Sequence, residues 1–75
     1  MDASEHIAQA QSMLLREITA FCAYWEITEA AFGRAALNDP AFVGRLRAGK
    51  NITVKTLDKA HLYLRAERAK RDAAA

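Results

Sequence analysis

The sequence predicts an all-α domain, a small bundle of four to five helices, and three observations carry that expectation. Hydrophobic residues make up 52% of the 75 positions, with a single proline and three glycines, which favours helix and is too apolar for disorder. Apolar residues recur at the 3.6-residue spacing of helices rather than the alternation of strands. Between the periodic runs stand residues that start and stop helices. A chain of this length makes one domain, 1–75, near the small end of what folds alone, and dimerisation is an ordinary remedy for a thin core.

The first helix is expected from a cap at Ser4 to about Glu26. Leu14, Ile18, Phe21 and Trp25 fall on one helical stripe, which Ile7 begins and Leu15 and Cys22 widen. Glu5 in the opening turn suits the positive end of the helix dipole. Ile27 and Thr28 break the run. Thr28 is a good N-cap for a second helix, 29–37, and Ile27 with Phe32 has the spacing of a hydrophobic staple. Phe32, Ala36 and Leu37 should face inward. Gly33 costs ~1 kcal/mol in a helix interior relative to alanine, so a close approach by another helix is expected there.

Asn38-Asp39-Pro40 is a strong break. Asparagine tolerates the left-handed conformation that ends a helix, Asp39 can cap the next one, and Pro40 fits its first position, where no amide proton is needed. A third helix is expected over 40–48, with Val43 and Leu46 inward and Gly49 as its stop. Phe42 is divided between core packing and contact with a partner, with packing favoured. Thr53 should cap a fourth helix from Val54 to about Arg68, with Leu57, Ala60, His61 and Leu64 inside, Leu62 and Tyr63 outside, and residues 73–75 frayed.

The net charge of +2 is unevenly spread. Up to Glu29 the acids Asp2, Glu5, Glu17, Glu26 and Glu29 face Arg16 alone. From Ala30 to Leu57 the bases Arg34, Arg45, Arg47, Lys50 and Lys55 face Asp39 alone, and beyond that Lys59, Arg65, Arg68, Lys70 and Arg71 outnumber the acids. An acidic third followed by two basic thirds suggests one positive face and a polyanionic partner, although charge blocks are more often solvated helix faces.

Several classes are not expected. The lone Cys22 excludes an internal disulfide and lies in an apolar run, where it reads as a small packed hydrophobe. His6 and His61 form no metal-ligand spacing with cysteine. Paired catalytic carboxylates, a nucleophile motif and a phosphate-cradling glycine loop are absent, and a domain this small leaves little room for a deep pocket, so neither an enzyme nor a bound cofactor or metal is expected. With no signal-like start and no apolar run of ~20 residues, the expectation is a cytoplasmic protein with no membrane partner.

The second and third helices, joined by a turn of about two residues, form a helix-turn-helix pattern whose core is 28–49. Here the chain resembles the lambda-repressor-like family of phage Cro and repressor proteins. The matching features are Phe32, the small Gly33, the Asp39-Pro40 start, Val43 and Leu46, Gly49-Lys50, and Leu57 after a Ser/Thr-type cap at Thr53. The resemblance covers about half the chain, and the first helix would be the family's first. It departs from the family in the turn, where Leu37-Asn38 stands in place of the frequent glycine. It departs again at Glu29, where the family often has a neutral polar residue that donates to a phosphate. The chain also ends early, so the family's fifth helix would be missing or fused into the fourth.

The resemblance implies a homodimeric transcriptional regulator, a repressor in type, that works at the nucleoid by placing the third helix in the major groove of double-stranded DNA. With Val43 and Leu46 inward, the outward residues are Pro40, Ala41, Gly44, Arg45 and Ala48. Arg45 is then the main long side chain for base reading, while Pro40, Ala41 and Gly44 let the helix sit deep against the bases. Arg47, Lys50, Asn51, Lys55 and, from the second helix, Arg34 are candidates for phosphate contacts. Leu62 and Tyr63, off the inner stripe, are candidates for the dimer interface. Two rival readings remain: a protein-interaction module of anti-activator or antitoxin type that binds a protein partner on this scaffold without specific DNA binding, and a nonspecific DNA coater.

Overall fold

The computed structural model describes residues 3–74, with side chains from Ala8 onward. The described residues are all-helical, with four helices in the order α1 (Ala3–Trp25), α2 (Glu29–Leu37), α3 (Phe42–Arg47) and α4 (Val54–Ala74). Among the described residues, no helix is long and apolar enough to cross a membrane. Ser4 lies within α1 rather than before it. The roles expected of the Glu5 and Ile7 side chains, and His6, fall outside the described side chains.

Most boundaries follow from local cap chemistry. Glu26 ends α1 in the left-handed region (φ 55°), and the Ile27 amide turns back to the Cys22 carbonyl at 2.9 Å. Thr28 is extended and its hydroxyl oxygen accepts the Ala31 amide at 3.0 Å, capping α2. Asn38 is left-handed (φ 54°, ψ 38°) and stops α2. Gly49 (φ 74°) ends α3 in a Schellman arrangement, with the Gly49 amide on the Leu46 carbonyl at 3.2 Å and the Lys50 amide on the Arg45 carbonyl at 3.1 Å. Thr53 caps α4 by accepting the Thr56 amide at 3.2 Å.

The core joins all four helices. Leu14, Ile18, Phe21 and Cys22 of α1 meet Phe32 of α2, Phe42, Val43 and Leu46 of α3, and Leu57, Ala60 and Leu64 of α4, all buried. Phe32 is the aromatic hub, edge-on to Phe21 (ring centroids 6.0 Å apart) and to Tyr63 (5.4 Å). Phe42 is fully buried, so packing claims it. Burial pushes the pKa of the Cys22 thiol up, with a smaller push from Glu29, so the group stays a protonated, packed thiol.

Four expectations need correction. The α-helical part of α3 begins at Phe42, not Pro40, because Asp39–Ala41 first close a turn in which the Asp39 carbonyl accepts the Phe42 amide at 3.2 Å. The first i→i+4 bond then runs from the Arg45 amide to the Ala41 carbonyl at 3.1 Å. α4 continues past Arg68 to Ala74 as one helix, with no separate fifth helix among the described residues. Its last turns have something to pack on: the Arg71 guanidinium lies 5.5 Å from the Phe21 ring centre and 5.3 Å from that of Trp25, with Nε 3.5 Å from Glu67 Oε1. His61 is exposed, 3.9 Å from Glu17 on α1, while Tyr63 is half-buried against the core. The reason lies in the neighbouring helices: Tyr63 finds the Phe32 ring of α2 at 5.4 Å between centres, whereas His61 faces solvent beside Glu17 of α1.

Candidate nucleic-acid interface

α3 is two-faced. Phe42, Val43 and Leu46 are buried, whereas Pro40, Ala41, Gly44, Arg45, Arg47 and Ala48 are exposed. At 100° per residue, Gly44 and the flanking Ala41 and Ala48 occupy the middle of the exposed face, with Arg45 and Arg47 at its opposite edges and Pro40 exposed in the lead-in turn. A Cβ placed on Gly44 would meet nothing within 4 Å, so the centre of this face is open.

Two lines of backbone hold α3 in place. The Asp39 amide donates to the Gly33 carbonyl at 3.1 Å, tying the lead-in of α3 to the interior of α2. At Gly33 a side chain would press into the Asp39 carbonyl oxygen, so the expected close approach is by the backbone that leads into α3 rather than by another helix. At the other end of α3, Gln11 Nε2 on α1 donates to the Lys50 carbonyl at 3.3 Å.

The arginines are more engaged than sequence reasoning expected. Arg47, expected on phosphate, grips Glu29 with both guanidinium branches, Nη1 to Oε1 and Nη2 to Oε2, each at 2.6 Å. This bidentate pair bridges the start of α2 to the end of α3. Its hydrogen bonds hold the Glu29 carboxyl below the usual carboxylate range, against a smaller opposing effect of burial. The negative charge that looked unsuited to phosphate is therefore matched inside the protein. Arg45, expected on a base, has a terminal nitrogen 2.7 Å from Asp39 Oδ2 and a side chain still 44% exposed. Asp39 is held below its ordinary value by the Arg45 hydrogen bond first, with the Ala41 amide helping and burial opposing.

Arg34, Lys50, Asn51 and Lys55 are exposed, and the three cations among them make no ion pair among the described residues. Leu62 is 63% exposed on the outer side of α4, whereas its neighbour Tyr63 packs on Phe32 within its own chain. Sequence reasoning missed both ion pairs. Asp39 and Arg45 are six residues apart and Glu29 and Arg47 eighteen, neither of which is an intrahelical pairing distance. Comparison with protein-family models, with curated proteins and with solved structures gave no match.

Proposed function

We propose that this chain is a sequence-specific DNA-binding regulator, a repressor in type, that docks the exposed face of α3 in the major groove. On this reading it is a binding protein rather than an enzyme, it has the lambda-repressor-like arrangement its sequence resembles, and it acts at the nucleoid. The observation that carries the reading is the exposed face of α3: a centre of proline, alanine and glycine that allows close approach, with Arg45 at one edge and open space over Gly44. A helix in the major groove needs that combination of a slim profile and a long donor side chain. Lys50, Asn51 and Lys55, exposed just beyond α3, supply phosphate contacts, and Arg34 adds one from α2.

A homodimer would place two copies of α3 about 34 Å apart, one DNA turn. Leu62 supports the outer side of α4 as its interface, because a leucine 63% exposed amid Ala66 and Ala69 is an apolar strip in search of cover. Tyr63 contributes indirectly, by fixing α4 against Phe32.

The second reading, a protein-interaction module of antitoxin type, is favoured by one observation. Both arginines of α3 already have carboxylate partners, which leaves its surface less positive than the sequence suggests. Exposed pairs of this kind contribute little net free energy, so they do not weigh heavily against DNA.

Selection from a pool of random duplexes separates the readings. A regulator enriches a short, partly symmetric sequence; a nonspecific coater binds all duplexes alike; an interaction module retains no DNA even at low salt. Within the leading reading, Arg45→Ala should relax one base position at a cost of ~1–3 kcal/mol. Lys50→Ala should weaken all sequences alike and lower the salt slope by about 1. An Arg45→Ala protein with unchanged affinity and base preference would remove α3 as the reading helix.

A further inference from the structure

Asp39 holds two groups at once. Its Oδ1 accepts the Ala41 amide at 3.1 Å, and its Oδ2 lies 2.7 Å from a terminal nitrogen of Arg45. The backbone therefore fixes the carboxylate, and the carboxylate fixes the guanidinium. Side chains on a helix lean toward its amino terminus, so Arg45 already points back along α3. The pairing with Asp39 draws its guanidinium further toward the end at which a groove-docked helix meets base edges. A guanidinium carries five N–H donors in a rigid fork, so one contact with Oδ2 leaves donors free for a second acceptor. Both side chains remain partly open, at 44% and 29% exposure, beside the small residues Pro40, Ala41 and Gly44.

We propose that Asp39 and Arg45 form one base-reading unit, in which Asp39 positions Arg45 on a guanine and the chain thereby selects DNA with a G·C pair at that position. The unit rests on the DNA-binding reading above and names the base pair it selects. Guanine offers O6 and N7 as paired acceptors for the guanidinium, and the lone pairs left on Asp39 suit the N4 amino group of a cytosine. Adenine places an N6 donor against the guanidinium, and thymine places an O4 acceptor against the carboxylate, so both are disfavoured. Asp39 is a positioning residue in this scheme. Its negative charge also repels every phosphate backbone, so its removal should weaken selectivity while strengthening nonspecific binding. Removing an acid that merely capped a helix would also strengthen nonspecific binding through its charge, but it would leave the base preference unchanged, so selectivity is the discriminating readout.

The test uses the full chain as wild type, Asp39→Asn, Arg45→Ala and the double variant. Asparagine keeps an oxygen for the Ala41 amide and loses the charge; Asp39→Ser serves the same purpose if Asp39→Asn does not fold. Each protein is put through duplex selection, then titrated by fluorescence anisotropy on the selected duplex and on the same duplex with 7-deazaguanine, which lacks N7, at the fixed position. Wild type should fix a guanine and lose several-fold in affinity on 7-deazaguanine, within the roughly 5- to 150-fold of a whole bidentate contact because O6 remains. Asp39→Asn should lose most of that penalty, bind random duplexes more tightly, and steepen the salt slope by up to about 1. In the double variant the two losses of selectivity should not add.

Asp39→Asn with the wild-type base preference and the wild-type 7-deazaguanine penalty would reduce Asp39 to a cap and end the proposal. So would a wild type that fixes only A·T pairs, or an Arg45→Ala protein that keeps the guanine, and either result leaves DNA selection itself standing. A wild type that enriches no sequence removes the sequence-specific DNA-binding reading, and the unit falls with it.

Discussion

Gly33→Ala should destabilise the protein even though it improves the intrinsic helix propensity of α2. In an open helix interior the change is worth ~1 kcal/mol in favour of alanine. Here the new methyl would lie closer than 3.0 Å to the Asp39 carbonyl oxygen and 3.4 Å from both the Asp39 carbonyl carbon and Phe42 Cβ. The obstructing atom is backbone and cannot swing aside. It belongs to the segment whose amide bonds the Gly33 carbonyl at 3.1 Å, so relief must move the lead-in of α3 and with it the fully buried Phe42. Overpacking of this kind costs ~3 kcal/mol when backbone has to shift, the upper part of the usual range. Set against the propensity gain, the net loss is ~2 kcal/mol. At ~4–8 °C per kcal/mol for a domain of this size, Tm should fall by ~8–16 °C. Thermal unfolding followed by circular dichroism reads this directly, and Gly44→Ala is the internal control. Gly44 is also helical, but its added methyl meets nothing within 4 Å, so the control should gain up to ~1 kcal/mol, or ~4–8 °C. If Gly33→Ala melts at or above the wild-type temperature, α2 and α3 do not meet as closely as described.

Glu26→Gly should stabilise the chain by ~0.5–1 kcal/mol, because Glu26 sits at φ 55° at the end of α1, where only glycine escapes the steric cost; a lower Tm would mean that its side chain does unrecognised work. Acid should destabilise the fold in a defined window. Glu29 and Asp39 have lowered values when folded, so their contribution is complete above the ordinary carboxylate range and is lost as pH falls through that range toward their depressed folded values. A Glu29→Gln, Asp39→Asn double variant should therefore show a shallower fall in Tm between about pH 5 and pH 3 than wild type, and parallel curves would show that the two arginine pairs contribute nothing. If the chain dimerises as proposed, Leu62→Lys should leave the monomer's Tm nearly unchanged while shifting sedimentation toward monomer, and a dimer that persists would move the interface off the outer side of α4.

The breaks in this chain are local chemistry and can be read along it. Thr28 and Thr53 cap because a hydroxyl three residues ahead of an amide can reach it, and Asn38 and Gly49 stop helices because they tolerate positive φ. The stripes Leu14–Ile18–Phe21 and Leu57–Ala60–Leu64 are likewise periodic, so the centres of the core faces of α1 and α4 follow from spacing, whereas the flank of α4 on which Tyr63 rather than His61 packs does not. Contacts between segments are another matter, since they depend on how the helices lie against one another. Folding alone reveals that Arg47 reaches across to Glu29, that Gly33 makes room for the Asp39 carbonyl, that Arg71 rests on Phe21 and Trp25 and so prolongs α4, and that Tyr63 turns toward Phe32. Helical periodicity decides which side of each helix is apolar, whereas only the assembled bundle decides which charge meets which, because pairing depends on distances through space that spacing along the chain does not encode.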